Sequence, residues 1–384
     1  MTHVLLLPTE GYGEWFQAAM PFILKFGPQA TKDPNTVGNL PAPVTVTIVD
    51  TGASYPGQGD IRAWFGQTLP QVAVDYVRVA DAEQLKSTLQ GRIDSNVAVP
   101  EIKITYPWPA GKCLVGLHGR ADGPQMDADF DVMRRARLES VKLLSWAPPE
   151  DFDRVRALNP KMFVLVRLFT KIGAPDQFSD FFVAEVQDAM ARFYQRGVRY
   201  FEIHNEPNLK LEGWGSSWAD GSAFNRFFIE VRNKLKAKFP EALFGYPGLS
   251  PDGFPMPERT NDIVFLDQCR EAVQLSDWIG AHCYWTNPDE MRSEKGGMSF
   301  MEFRKRFPEK LIFITEFSNP ANWVGRAEKA HQYVQYYELL RNVPGLGAAF
   351  CFLSSASAQF PHEAWWDENG AISEIPDVVG GRKY

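Results

Sequence analysis

Two glutamates far apart in the chain, Glu206 and Glu316, are the side chains best suited to do chemistry together. The stretches Phe201-Glu202-Ile203-His204-Asn205-Glu206-Pro207 and Leu311-Ile312-Phe313-Ile314-Thr315-Glu316 each carry an apolar run to a glutamate. That is how a buried strand delivers a carboxylate to the rim of a sheet. Paired carboxyls suit the cleavage of a glycosidic bond, in which the leaving alkoxide is poor and the sugar carbon must acquire oxocarbenium character. One carboxylic acid protonates the leaving oxygen while an ionised carboxylate attacks the anomeric carbon. Glu316 is expected to take the anionic role and Glu206 the proton-bearing one. Once Glu316 is esterified its charge disappears, and Glu206 can act as the base that activates water. Carboxyls about 5–5.5 Å apart retain anomeric configuration and carboxyls about 6.5–9.5 Å apart invert it, so residues alone leave both outcomes open.

Other polar residues cluster at the ends of expected strands: His118 and Arg120, Arg167, Asn205, His282 and Tyr284. His118 and Arg120 are candidates for sugar hydroxyls, although hydrogen bonds that hold a turn explain them nearly as well. His282 either contacts substrate or orients Glu206. Trp214, Trp218, Trp285, Trp323, Trp365 and Trp366 fall in segments expected above the same rim. An exposed indole suits the apolar face of a pyranose, with core packing the alternative for each one. Trp214 and Trp218, in the long loop Asn208 to Gly221, are the preferred pair for a cleft wall. No His-Glu-x-x-His helix or close Cys/His array exists, so neither a metal nor a cofactor is expected. A Gly-x-Ser-x-Gly elbow is absent too, and Gly11-Tyr12-Gly13, Gly296-Gly297 and Gly380-Gly381 read as turns.

The elements that must position these residues repeat eight times from Lys112. Strands are expected at Cys113–Leu117, Val141–Ser145, Phe163–Leu168, Tyr200–His204, Leu243–Tyr246, Trp278–Cys283, Leu311–Thr315 and Ala348–Leu353. Amphipathic helices lie between them, clearest at Phe178–Arg196, Ala223–Phe239 and Arg326–Arg341. Residues 112–384 suit the ~250 residues of a closed (β/α)8 TIM barrel, whose catalytic groups collect where the strands end. A doubly wound sheet would give the same periodicity. Residues 1–95 read as three strand–helix repeats, a small parallel α/β domain of unknown role, because parallel strands need helical crossovers. Residues 96–111, with Pro100, Pro107 and Pro109, read as an extended connector with one short strand. The expected fold is therefore α/β, a TIM barrel preceded by a small parallel α/β domain.

At 384 residues and 45% hydrophobic content the chain can fill sizeable cores. A net charge of −7 with no basic block gives no footprint for a phosphate backbone, so a neutral or weakly charged partner fits better than nucleic acid. The amino terminus has no basic n-region and only a short apolar run, so neither a secretion signal nor membrane insertion is expected. Dispersed Cys113, Cys269, Cys283 and Cys351, mostly in apolar segments, favour a reducing, cytoplasmic setting. The oligomeric state cannot be read.

His204-Asn205-Glu206-Pro207 after the fourth strand, His282-Cys283-Tyr284 on the sixth, Glu316 after the seventh and Trp365 or Trp366 beyond the eighth resemble the large clan of retaining β-glycoside hydrolases built on (β/α)8 barrels. The resemblance implies Glu206 as acid/base, Asn205 as ligand of the sugar 2-hydroxyl and Glu316 as nucleophile. It also implies Tyr284 as a donor to that nucleophile, a tryptophan after strand eight as sugar platform, and a carbohydrate substrate. Clan members often carry an arginine at the end of strand two, where this chain has Leu144-Ser145-Trp146. Arg167 shares strand parity with Phe163 and Leu165, and is expected to reach the carboxylates from strand three instead. A carbohydrate-binding or scaffold barrel without turnover is the alternative from another class, and an inverting hydrolase or transglycosylase a third.

Overall fold

The computed structural model describes the chain except residues 1, 42–43, 53–54, 56, 70–71, 100–107, 109–110, 171–177, 253–257, 357–358 and 368. It divides into two compact units, Met1–Lys103 and Ile104–Tyr384. Most of the expected connector, including its short strand, lies outside the described residues.

In the first unit β1 (Thr2–Leu6), β2 (Gln29–Thr31), β3 (Val44–Asp50) and β4 (Ala73–Arg78) form a parallel sheet in the order β2-β1-β3-β4. Strand alternation explains its two cores: Leu5, Leu7, Val49 and Val77 pack with Phe22 and Leu85 on one face, while Val4, Leu6, Val46 and Ile48 pack with Phe65 on the other. Three strands were expected here. The fourth, β2, is a three-residue edge strand of sequence Gln-Ala-Thr, too short and too polar to announce itself.

The second unit is a closed barrel of eight parallel strands: β5 (Leu114–His118), β6 (Ser140–Leu144), β7 (Phe163–Leu168), β8 (Tyr200–Ile203), β9 (Leu243–Tyr246), β10 (Trp278–Tyr284), β11 (Ile312–Ser318) and β12 (Leu346–Cys351). Pairing of β12 with β5, Ala348 opposite Leu114 through Cys351 opposite Leu117, closes the ring and removes any edge. Outward residues of the strands meet helices such as Gly221–Lys238, whose amino end is capped by the Asp220 carboxylate accepting from Ala223 N. Inward residues Leu165, Trp278, Leu311, Phe313, Ala348 and Phe350 fill the lower barrel beside Trp108, whose ring meets Phe163 at 4.5 Å between centroids. With that end lined by apolar side chains, ionisable inward side chains are left to the carboxyl ends of the strands. Among the described residues no helix is long and apolar enough to cross a membrane.

Candidate active site

Period-two alternation sends Lys142 inward from β6, Arg167 from β7, Glu202 from β8, and His282 and Tyr284 from β10. Glu316 gets there by a different device. Ala281 pairs with Ile314 but His282 pairs with Glu316, so one residue of β11 is skipped at Thr315. This bulge turns Glu316 toward His282 instead of outward, the kind of re-aiming for which such irregularities are used.

Beneath the mouth the charges cancel. Arg167 donates from Nε to Glu202 Oε2 at 2.7 Å and from Nη1 to Glu316 Oε1 at 2.6 Å. Lys142 donates to the same Glu316 oxygen at 3.1 Å and lies 3.9 Å from Glu202 Oε2. All four side chains are buried, and such ions are stable only when paired this closely. Burial alone would raise the Glu316 carboxyl, yet the electropositive groups of His282, Lys142, Arg167 and His118 outweigh it and hold it well below the usual carboxylate range. Burial pushes Lys142 down to about 8, and burial followed by the charge of Glu316 keeps the Tyr284 hydroxyl protonated. Tyr284 can therefore donate, and does so to Glu316 Oε2 at 2.6 Å. Glu316 Oε1 is occupied by two cations; Oε2 retains a lone pair for attack.

Glu206 enters from the turn after β8. His204 and Glu206 both have positive φ, 72° and 33°, which ordinary side chains rarely adopt, so the turn must be held by its surroundings. His204 is buried among Phe169, Phe182 and Trp218, and burial lowers its pKa to about 4. Glu206 N donates to Gly248 O at 3.1 Å. Its Oε1 meets His282 Nδ1 at 2.8 Å, and Arg167 Nη2 points at the other ring nitrogen at 3.3 Å. Because an arginine N–H can only donate, that nitrogen supplies the lone pair and the imidazole proton sits on Nδ1, toward Glu206. Gly248 has to be glycine: a Cβ there would fall 2.1 Å from His282 Cδ2. Single atoms of Glu206, His282 and Glu316 lie within 4.8 Å of one another. Three such atoms could ligate a cation, but Lys142 and Arg167 already supply positive charge under Glu316, and His282 Nδ1 is engaged by Glu206.

A cleft of about 420 Å³ opens over these groups, lined by His118, Asn205, Glu212, Glu363 and the apolar side chains of Trp146, Phe169, Leu211, Phe352 and Phe360 among others. His118 Nδ1 bonds its neighbour's carbonyl, Gly119 O, at 2.8 Å. Burial, then the Lys142 charge, drives its pKa well down, and its Nε2 lies 3.9 Å from Glu316 Oε1. Two carboxyls unremarked in the sequence flank the central pair. Burial, reinforced by nearby Glu206 and opposed by the amide of Asn205, pushes Glu212 up to about 7; burial pushes Glu363 up to about 7 against the charge of Lys329.

The structure thus brings Asn205, Glu206, His118, Arg167, His282, Tyr284 and Glu316 together, and separates the remaining candidates from them. Arg120 pairs with Asp122 at 2.8 Å and lies over the Trp366 ring, outside the cleft lining. The tryptophan expectations need correction. Trp218 (3% exposed), Trp285 (1%), Trp365 (0%) and Trp366 (5%) are core residues, and half-buried Trp214 packs against the same core. Trp218 donates to Pro207 O, Trp285 to Gln332 and Trp366 to Asp129, so their N–H edges are used in fixing loops. Trp323 is exposed but does not line the cleft. The aromatic wall is supplied instead by Trp146, 45% exposed, and Phe169. Lys142 and Glu202 were legible in principle, since each is a lone charge inside an apolar strand run with inward parity.

No protein-family model and no curated protein matches the sequence. Solved structures similar to this chain include a GH128 (subgroup II) endo-β-1,3-glucanase from Sorangium cellulosum, at 18% identity over 71% of this chain and 99% of that one, with a TM-score of 0.51. A glucosidase from Croceicoccus marinus is similar at 16% identity over 71% of this chain and 68% of that one, TM-score 0.52. A GH128 (subgroup II) endo-β-1,3-glucanase from Pseudomonas viridiflava is similar at 14% identity over 71% and 98%, TM-score 0.50. At these identities the likeness is one of fold, the closed barrel of eight parallel strands.

Proposed function

We propose that the barrel hydrolyses β-glycosidic bonds with retention of configuration, Glu316 acting as nucleophile and Glu206 as acid/base. The observation that carries this reading is the approach of a Glu206 atom to within 4.8 Å of a Glu316 atom across an open cleft. So close an approach of one oxygen from each residue is in keeping with the about 5–5.5 Å carboxyl spacing of retaining enzymes and favours direct attack on an anomeric carbon. The charge arrangement supports the division of labour. Glu316, compensated by Lys142, Arg167 and Tyr284, is kept anionic for attack; Glu206, joined to His282, stands where it can protonate the leaving oxygen and later deprotonate water. Asn205 offers its amide to the sugar 2-hydroxyl, and Trp146 and Phe169 offer aromatic faces to the rings.

The endo-β-1,3-glucanases and the glucosidase of like fold make aryl β-glucosides and β-1,3-glucan the first substrates to test. Glu316→Ala and Glu206→Ala are each expected to lose at least about a thousandfold in kcat. Azide should rescue Glu316→Ala and yield a glycosyl azide of inverted configuration. The Glu206 variant should recover most with the best leaving groups, which need least protonation. Undiminished turnover in both variants would end this reading.

A further inference from the structure

Glu212 lies in the loop after β8, on the cleft wall next to Asn205, and no step above uses it. Asn205 Nδ2 donates to Glu212 Oε1 at 3.0 Å, while Asn205 Oδ1 is buried and, among the described residues, has no hydrogen-bond partner. A buried carbonyl without a partner is a costly arrangement, and an amide can normally escape one by rotating end for end. Once Glu212 is ionised, above about pH 7, rotation would set Oδ1 against its carboxylate, acceptor facing acceptor. The amide is therefore held in its less satisfied orientation by its neighbour. Nδ2 carries two hydrogens; one is given to Glu212 and the other remains for a ligand in the cleft.

Glu212 is itself well anchored. Its loop is tied down by Asn208, which donates to Ser250 O at 2.8 Å and Thr260 O at 3.0 Å and accepts from Ser250 N at 2.9 Å. Trp218 adds a bond to Pro207 O at 2.6 Å, and Leu209 N donates to Glu206 O at 2.8 Å. A carboxylate on so constrained a loop can impose an orientation on a softer neighbour.

We propose that Glu212 is a positioning residue that locks the Asn205 amide with its N–H, not its carbonyl, toward the sugar 2-hydroxyl. This rests on the glycosidase reading and adds to it the element that makes the 2-hydroxyl contact directional. A 2-hydroxyl sugar is then discriminated from a 2-deoxy sugar through a residue that touches neither.

The test compares kcat/KM at pH 8, where Glu212 is ionised, for an aryl β-glucoside and its 2-deoxy analogue in wild type, Glu212→Leu and Glu212→Gln, with circular dichroism to establish folding. The ratio between the two substrates is the readout; their intrinsic reactivities cancel when ratios are compared between proteins, and a general loss of activity moves both substrates alike. In Glu212→Leu the preference for the 2-hydroxyl substrate is expected to shrink by tenfold or more. In Glu212→Gln, which keeps an acceptor but also offers a donor to a rotated amide, an intermediate ratio is expected. A wild-type ratio in Glu212→Leu overturns the proposal, as does a wild-type ratio in Glu212→Gln should the leucine variant not fold. Either result, obtained while Glu206→Ala and Glu316→Ala remain inactive, leaves the glycosidase reading standing. Absence of glycoside turnover by the wild type removes both.

Discussion

Glu316 is ionised in a place where burial alone would neutralise it, because His282, Lys142 and Arg167 are gathered around its oxygens. Removing one cation tests that balance. Lys142→Met leaves Glu202 and Glu316 sharing Arg167, an excess buried negative charge expected to cost about 3–5 kcal/mol in denaturant unfolding. The same change should raise the Glu316 pKa and move the acid limb of kcat/KM to higher pH; an unmoved limb would mean Lys142 does not tune the carboxylate. Glu212 and Glu363 titrate in the opposite sense, both raised from 4.5 to about 7. Between those values the folded protein holds protons that the unfolded chain has lost, so their contribution is complete below pH 4.5 and fades as pH rises through 7. Glu212→Gln and Glu363→Gln are accordingly expected to gain Tm over wild type progressively from pH 5 to pH 8. Parallel Tm–pH curves for variant and wild type would contradict the shifts.

The elements impose positions that single residues cannot choose. The skipped pairing at Thr315 aims Glu316, and Gly248 leaves space for His282 to reach both Arg167 and Glu206. Gly248→Ala should leave the far-UV spectrum unchanged and lower kcat by about tenfold or more through displacement of His282, as a misplacement of about 1 Å commonly does. The loop tryptophans provide a contrast. Trp218→Ala is expected to cost about 3–5 kcal/mol in stability as a large-to-small core change, whereas Trp146→Ala should raise KM with little change in Tm. The reverse pattern would restore Trp218 to the cleft. What could be read from the sequence divides along the same line. The strand segments and the inward aim of Arg167 follow from period-two patterning, and the rim positions of Glu206 and Glu316 from where their apolar runs end, all of which a local window contains. The fate of Trp218, Trp285 and Trp366 does not, because whether an indole on a loop faces sugar or core depends on which distant acceptor takes its N–H. Glu212 was likewise invisible: its significance comes from a hydrogen bond to Asn205, and nothing in its own neighbourhood marks it.

At the scale of the molecule, every group assigned to the chemistry belongs to the unit Ile104–Tyr384, which has its own core of strand and helix side chains. A chain beginning at Ile104 is therefore expected to fold and to keep the kcat/KM of the full protein on an aryl β-glycoside. A folded but inactive barrel would contradict that expectation. The central claim, that Glu316 forms a covalent bond to the sugar, is tested most directly by incubating wild type with a 2-deoxy-2-fluoro β-glycosyl fluoride and sequencing the labelled peptide by mass spectrometry. The expected result is one fluorosugar per chain, on Glu316, with slow recovery of activity as water displaces it. A label on Glu206 or Glu363, or brisk turnover of an active β-glycoside to the inverted anomer with no label at all, would contradict the account.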